Sequence, residues 1–298
     1  MKLDVDAAAR SIERSLAKPL GISIEDAAWG VHETVTASMA QAAMIHAIER
    51  ALDVTRFSML PIGGAGPVHA CSMAAKMNID RLICPTGAGV ASAIGMLSAA
   101  ISFEIARAAP ADLASLDFVK TWTMIEGMDA EASALVANAG VDIRDVEHKL
   151  SVMMRYAGQG YEIETFVSQE IIKKADGDGL HTAFTEAYWR RYGRTEEIPV
   201  EILSWRLAVE GPRSGLGQTL VGRDIDSDPS SESIGYRPAW FGEKFLETPV
   251  FKRSGLRPGT QIPGPAIIEE TESTTIVPLE FTLGVDQALN LVLTRVKS

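Results

Sequence analysis

Cysteine is scarce in this chain: Cys71 and Cys84 are the only two among 298 residues. They form no CxxC pair and cannot build a disulfide framework, which fits a reduced, cytosolic compartment. Both sit among apolar residues and read as buried, inert thiols. Basic charge is also in deficit. The net charge is −11, from 28 basic and 39 acidic side chains. No basic stripe exists to neutralise a phosphate backbone, which argues against nucleic acid as a partner. The five histidines, His32, His46, His69, His148 and His181, show no HxxxH spacing, so no metal site built by this chain alone is expected. Ser72 lacks a G-x-S-x-G elbow, and nucleophilic hydrolase chemistry goes unsupported. The N-terminus is amphipathic, carries Asp4 and Asp6, and has no apolar core of signal-peptide type. The most apolar long window, Gly87 to Phe103, consists largely of Ala, Gly and Ser. It reads as a packed internal helix, not a membrane span.

What is present is ordinary globular composition, 46% hydrophobic and 22% charged, over a length that accommodates two domains. The acidity belongs to the later part: nine basic and ten acidic residues precede Ala111, against 19 and 29 after it. The most informative stretch is Phe57 to Ala70, FSMLPIGGAGPVHA. An apolar run, Phe57–Ile62, meets the turn Gly63-Gly64-Ala65-Gly66-Pro67, and a helical pattern follows from Val68. Strand, glycine turn and helix present free backbone N–H groups at a helix N-terminus, where a phosphate can sit. The same layout also joins strands to helices with no ligand, and spacing does not separate the two. His69, in the first turn after the loop, fits either a ligand-facing or a hydrogen-bonded structural role.

The coarse organisation is mixed. A helix over Asp6–Ala17 is broken at Leu20-Gly21. A second opens with the capping-box pattern Ser23-Ile24-Glu25-Asp26 and runs to about Arg50. Strand Phe57–Ile62, helix Val68–Met77, strand Arg81–Pro85, helix Val90–Ala99 and a strand over Ile101–Ala106 give the first ~110 residues an α/β layer structure. Residues 111–298 read as a separate, mixed and β-rich part. A helix over Leu113–Ala139 precedes strand composition from Val146 to Val167, broken at Gly158-Gln159-Gly160. A helix over Leu180–Tyr192 and a strand over Val200–Val209 follow, then a mobile loop over Gly211–Gly235. After Tyr236, short apolar runs alternate with turns as in a compact β domain. Tyr156-Ala157-Gly158-Gln159-Gly160-Tyr161-Glu162 fits a glycine-made bulge or turn and equally a polar loop at a site edge. Glu269-Glu270-Thr271-Glu272 reads as a solvated turn.

Several of these motifs resemble one family. Leu60–Ala70, LPIGGAGPVHA, is similar to the GGAGPLHA-like element of the hydantoinase/oxoprolinase family A subunit. Pro19–Ser23 with Glu25–Ala28 resembles its PLG entry, and Met39 and Glu49-Arg50 fall at its NMA and VERG elements. Tyr156-x-Gly158-Gln159 resembles its YxGQ strand, and Gly264–Glu270 with Ser273–Thr275 its GPAIIE…STT segment. The resemblance covers essentially the whole chain. It implies part of an actin/hexokinase-like ATPase domain followed by a β-rich C-terminal domain. It also implies use of ATP and Mg²⁺ to activate an amide, lactam or ketone oxygen by phosphorylation. The family's phosphate-side half, with its DxGGTFTD-like loop and Mg²⁺ acids, has no counterpart here. An N-terminal-half A-type subunit and a hydantoinase B-type subunit are therefore the implied partners. Gly63, Gly64, Ala65, Gly66, Pro67 and Glu49 are the implied nucleotide-binding residues, and no catalytic residue is assigned. Two departures stand out: Met44 replaces an arginine, and Ala51 the glycine of VERG. They leave a second reading open, a non-catalytic structural subunit that binds no nucleotide.

Overall fold

The computed structural model describes residues 4–50, 52–213 and 232–296. The chain divides into two compact units, Met1–Leu97 together with Leu216–Ser298, and Ser98–Gly215. The sequence-based boundary near residue 110 falls inside a strand, Ser102–Asp112. The chain beyond 216 rejoins the first unit instead of forming a separate C-terminal body. Most of the expected loop over Gly211–Gly235 lies outside the described residues, as does Ala51.

The first unit opens with α1 (Val5–Ile12), capped by Asp4, whose carboxylate accepts from the Ala7 N–H at 2.9 Å. One π turn, Glu13–Ala17, and the short α2 (Lys18–Leu20) continue it to Gly21. Gly21 sits at φ +68, a left-handed stop that suits glycine. Ser23 then caps α3 (Ile24–Ile48): its Oγ accepts from the Asp26 N–H, as the capping-box pattern predicts, while the Asp26 carboxylate accepts from the Ser23 hydroxyl and not from its backbone N–H. Next come α4 (Gly66–Lys76), β1 (Arg81–Cys84) and α5 (Ala91–Ser98). After 232 the unit is completed by β6 (Gly235–Trp240), β7 (Phe245–Lys252), β8 (Gln261–Pro263), β9 (Ala266–Glu269), β10 (Thr274–Val277), β11 (Phe281–Val285) and β12 (Leu291–Arg295).

These strands form two four-stranded sheets, ordered β1-β12-β11-β8 and β10-β9-β7-β6. The first is antiparallel throughout; in the second, β7 and β9 run parallel. The early α/β layer thus contributes one strand to a sheet otherwise made by the last forty residues. Leu82, Ile262, Phe281, Leu283 and Leu293 from that sheet, with Cys71 and Ala74 from α4, form its core. A Cβ on Gly264 would overlap the Pro278 carbonyl, which accounts for the glycine opening the Gly264-Pro265-Ala266 motif.

Two expectations are corrected. The strand over Phe57–Ile62 reduces to a single bridge, Met59 against Leu82. Pro61 has no N–H to extend the pairing. The helix within Gly87–Phe103 is not internal: no residue of α5 is buried, and Met96 is 80% exposed.

The second unit is one antiparallel sheet, β2-β5-β3-β4, from β2 (Ser102–Asp112), β3 (Glu147–Tyr156), β4 (Ile163–Val167) and β5 (Val200–Glu210). It carries α6 (Phe118–Asn138), α7 (Gln169–Lys173) and α8 (Gly177–Tyr192), capped by Asp117, Ser168 and Asp176 respectively. Trp205, Tyr156, Phe184 and Ile125 fill its core. The Tyr156–Glu162 motif is a turn: Gly158 takes φ +83, and the Gln159 Nε2 donates to the Tyr188 hydroxyl at 2.9 Å. The Tyr156 hydroxyl accepts from the Glu196 N–H at 3.0 Å. These contacts tie the motif to its own unit.

Candidate functional site at the glycine turn

Met59 reaches the sheet edge by two backbone bonds, its N–H to the Arg81 carbonyl at 3.0 Å and its carbonyl from the Ile83 N–H at 2.9 Å. That anchor sets where Gly63–Pro67 begins. Gly63 sits at φ +93, a conformation that favours glycine, and its N–H donates to the Ala88 carbonyl at 2.8 Å. The Gly66 N–H turns back to the Gly63 carbonyl at 3.1 Å and starts α4, with Pro67 in its first turn. Gly64 and Ala65 are exposed, and among the described residues their N–H groups have no hydrogen-bond partner. No acidic residue occupies the first turn of α4. Two free donors at the positive end of an eleven-residue helix suit an anion.

Two further segments hold the turn. Gly87 (φ +72), Ala88 and Gly89 form a second glycine turn, and a Cβ on Gly89 would stand 2.5 Å from the Glu272 carbonyl. Ser273 Oγ donates to the Gly64 carbonyl at 3.0 Å. Residues 63–67, 87–89 and 272–273 therefore interlock. The sequence reading found the first and, as motifs, parts of the third. It missed the second, although Thr86-Gly87-Ala88-Gly89 carries the same turn chemistry.

The other candidates lie apart. Glu49 is exposed at the C-terminal cap of α3, its N–H on the Ile45 carbonyl at 3.0 Å. No hydrogen bond among the described residues joins it to the turn. Met44 packs against the first unit's core. His69 holds the structural role: its Nδ1 lies 3.2 Å from Thr36 Oγ1 and its ring stacks on His32 at 4.7 Å. Burial pushes the Cys84 thiol up to about 11 and raises Cys71 as well, as expected of inert thiols. Glu270 departs from the solvated-turn expectation: its side chain is 11% exposed and pairs with Arg253, 8% exposed, at 3.4 Å. Among the described residues, no three His, Cys, Asp or Glu side chains gather as a metal site would require, and no helix is long and apolar enough to cross a membrane.

Interlocked glycine turns thus stand at the N-terminus of α4, beside the antiparallel sheet that β1 joins. Comparison with known proteins identifies the chain's lineage. The Hydantoinase/oxoprolinase family matches residues 1–105, and the Hydantoinase/oxoprolinase C-terminal domain matches residues 119–295. The chain belongs to the hydantoinase/oxoprolinase family. An uncharacterised protein of Methanocaldococcus jannaschii is 29% identical over 96% of this chain and 40% of its own length. The acetone carboxylase beta subunit of Xanthobacter autotrophicus is 26% identical over 96% of this chain and 42% of its own. The crystal structure of the ATP-dependent caprolactamase from Pseudomonas jessenii superposes with a TM-score of 0.71 at 23% identity, over 98% of this chain and 43% of that one. The chain thus shares this fold and is related to subunits of carboxylase and caprolactamase complexes. It spans less than half the length of each of these three relatives.

Proposed function

We propose that this chain forms the Gly63–Pro67 wall of a nucleotide cleft in an ATP-dependent complex that activates an amide, lactam or ketone oxygen by phosphorylation. The observation that carries the reading is the pair of exposed N–H groups of Gly64 and Ala65, without a hydrogen-bond partner among the described residues, in a turn held by Ala88 and Ser273. They suit a phosphate or other nucleotide oxygen in charge and geometry. ATP supplies the phosphoryl group when bound. The chain's residues would orient it, and Glu49, at the end of the neighbouring helix, would border it. An N-terminal-half A-type polypeptide would supply the Mg²⁺ ligands and the γ-phosphate donors, since phosphoryl transfer depends on a metal and positioned donors. A hydantoinase B-type subunit would receive the activated substrate. Apolar surface supports a protein partner: Ile45, Ile48, Leu52, Phe57, Leu60 and Ile62 are each about half exposed or more. The second reading, a structural subunit without nucleotide, draws on Met44, which packs half-buried against the core where the family resemblance implies an arginine.

Calorimetric titration of the reconstituted complex with a non-hydrolysable ATP analogue tests the proposal, comparing wild type with Gly64→Val. Gly64 does not need a positive φ, but a Cβ there would lie 3.3 Å from the Glu272 carbonyl. A valine would press on the 272–273 turn and crowd the two donors. The expected result is loss of nucleotide binding with matched circular dichroism spectra. Equal affinities would leave the structural-subunit reading standing. The isolated chain is expected to hydrolyse no ATP, and steady-state hydrolysis above a mock-purified control would refute the shared-cleft assignment.

A further inference from the structure

A cleft of about 860 Å³ opens in the first unit between α1, α3, α4 and the β6–β7 hairpin, and no residue of the Gly63–Pro67 turn lines it. Its volume lies in the range of small-molecule sites. One wall carries Trp29, stacked on His32 at 5.1 Å between ring centres. The facing wall carries Trp240, edge-on to Phe245 at 5.1 Å. The walls meet at the hairpin turn, where Gly242 approaches the Trp29 ring so closely that a Cβ would touch it at 3.4 Å. The cleft's charged side chains are Glu25, Glu33, Glu280 and Lys76. Lys76 is committed to Glu33 at 2.7 Å. Burial and the neighbouring His69 lower the His32 pKa, so its imidazole adds no positive charge near neutrality. Among the described lining residues, Glu25 and Glu280 are therefore left without a cation of the cleft to balance them.

We propose that this cleft is a binding site for an organic cation with an aromatic or aliphatic body. The negative faces of the indole rings attract a cation, and the two carboxylates add to that preference while repelling an anion. The apolar lining from α1 and α4 would take up the ligand's body. The site is independent of the nucleotide reading, because none of its lining residues belongs to the Gly63–Pro67 turn.

Three probes of similar size separate the contributions: benzyltrimethylammonium, benzyl alcohol and phenylacetate, titrated into the full chain with tryptophan fluorescence and NMR as readouts. The expected order is cation, alcohol, anion, with the cation bound about tenfold more tightly than the alcohol. In a Glu25→Gln, Glu280→Gln double variant that gap should shrink to about twofold, while benzyl alcohol binding stays, showing the cleft intact. Equal binding of cation and alcohol, preferred binding of phenylacetate, or no saturable binding of any probe at millimolar concentration would overturn the proposal. So would displacement of the cation by a co-purifying protein partner, which would make the cleft a protein-docking surface instead.

Discussion

Ser273 Oγ donates a 3.0 Å hydrogen bond to the carbonyl of Gly64, 209 residues earlier in the chain. It joins two sequence motifs and engages that carbonyl with a partner from the far end of the chain. Ser273→Ala should cost about 0.5–1.5 kcal/mol, at the low end because the exposed Gly64 can be rehydrated. The more telling change should be local: faster amide exchange at Gly63, whose N–H rests on Ala88, and weaker nucleotide binding by the assembled complex. Unchanged exchange at Gly63 would show that the serine bond does not hold the turn.

Gly63 and Gly89 need glycine for different reasons, and substitution should separate them. Gly63 is needed for its φ of +93, which side-chain-bearing residues rarely adopt, but has open space around a would-be Cβ. Gly63→Ala should therefore cost about 1–3 kcal/mol through backbone conformation alone. Gly89→Ala, by contrast, would drive a methyl against the Glu272 backbone, about 1–3 kcal/mol by overpacking. Asparagine tolerates left-handed backbone better than alanine. Gly63→Asn should thus recover part of the loss by urea titration, and Gly89→Asn none. Rescue at both positions, or at neither, would contradict this assignment.

The His32 imidazole is disfavoured as a cation by burial first and by His69 next, with Glu33 opposing. Its folded pKa lies below the 6.5 of the free side chain. The stabilising contribution is therefore complete above pH 6.5. It is lost as pH falls through the lowered folded value, because the unfolded chain takes up the proton first. Melting temperatures of wild type and His32→Gln, compared between pH 7.5 and 5.5, check this. The wild type should lose more on acidification than the variant. Parallel losses would mean that another group controls acid sensitivity here.

Local chemistry was legible in the sequence, and long-range pairing was not. Ser23 caps α3, Gly21 stops α2, and the 63–67 turn opens a helix, because each depends on neighbours within a few residues. The partnership of β1 with β12 depends on residues 207 positions or more apart, such as Cys84 against Leu291, and no local pattern encodes it. The Phe57–Ile62 run carried strand composition, yet only Met59 found a partner, since composition reports a tendency to pair and not the neighbour needed to satisfy it. The exposed apolar helix α5 departs from expectation for a related reason: hydrophobicity marks buried residues and equally marks apolar surface. Within the site, the Gly87–Gly89 turn was visible as residues but not as a contact, because its fit depends on the distant Glu272 backbone.

Arg253 is the residue whose role the sequence concealed most completely. It lies in Lys252-Arg253-Ser254, where a surface cation would be expected, yet its side chain is 8% exposed. Its guanidinium donates to the Cys84 carbonyl at 2.9 Å and the Leu289 carbonyl at 3.1 Å, and pairs with Glu270 at 3.4 Å. One side chain thus fastens the end of β1, the turn before β12 and the end of β9. Burial lowers its pKa, but arginine stays charged at any ordinary pH. Arg253→Met keeps much of the volume and removes every donor, so the nearly buried Glu270 carboxylate loses its ion pair with Arg253 and the Cys84 and Leu289 carbonyls each lose one hydrogen bond. The expected loss is about 3–5 kcal/mol. Arg253→Met with Glu270→Gln should lose less than Arg253→Met alone, because the nearly buried charge that Arg253 balanced is gone. Chemical denaturation of the three proteins gives the comparison. A double variant as unstable as, or less stable than, the single would show that the Glu270 carboxylate is not what makes the loss of Arg253 costly.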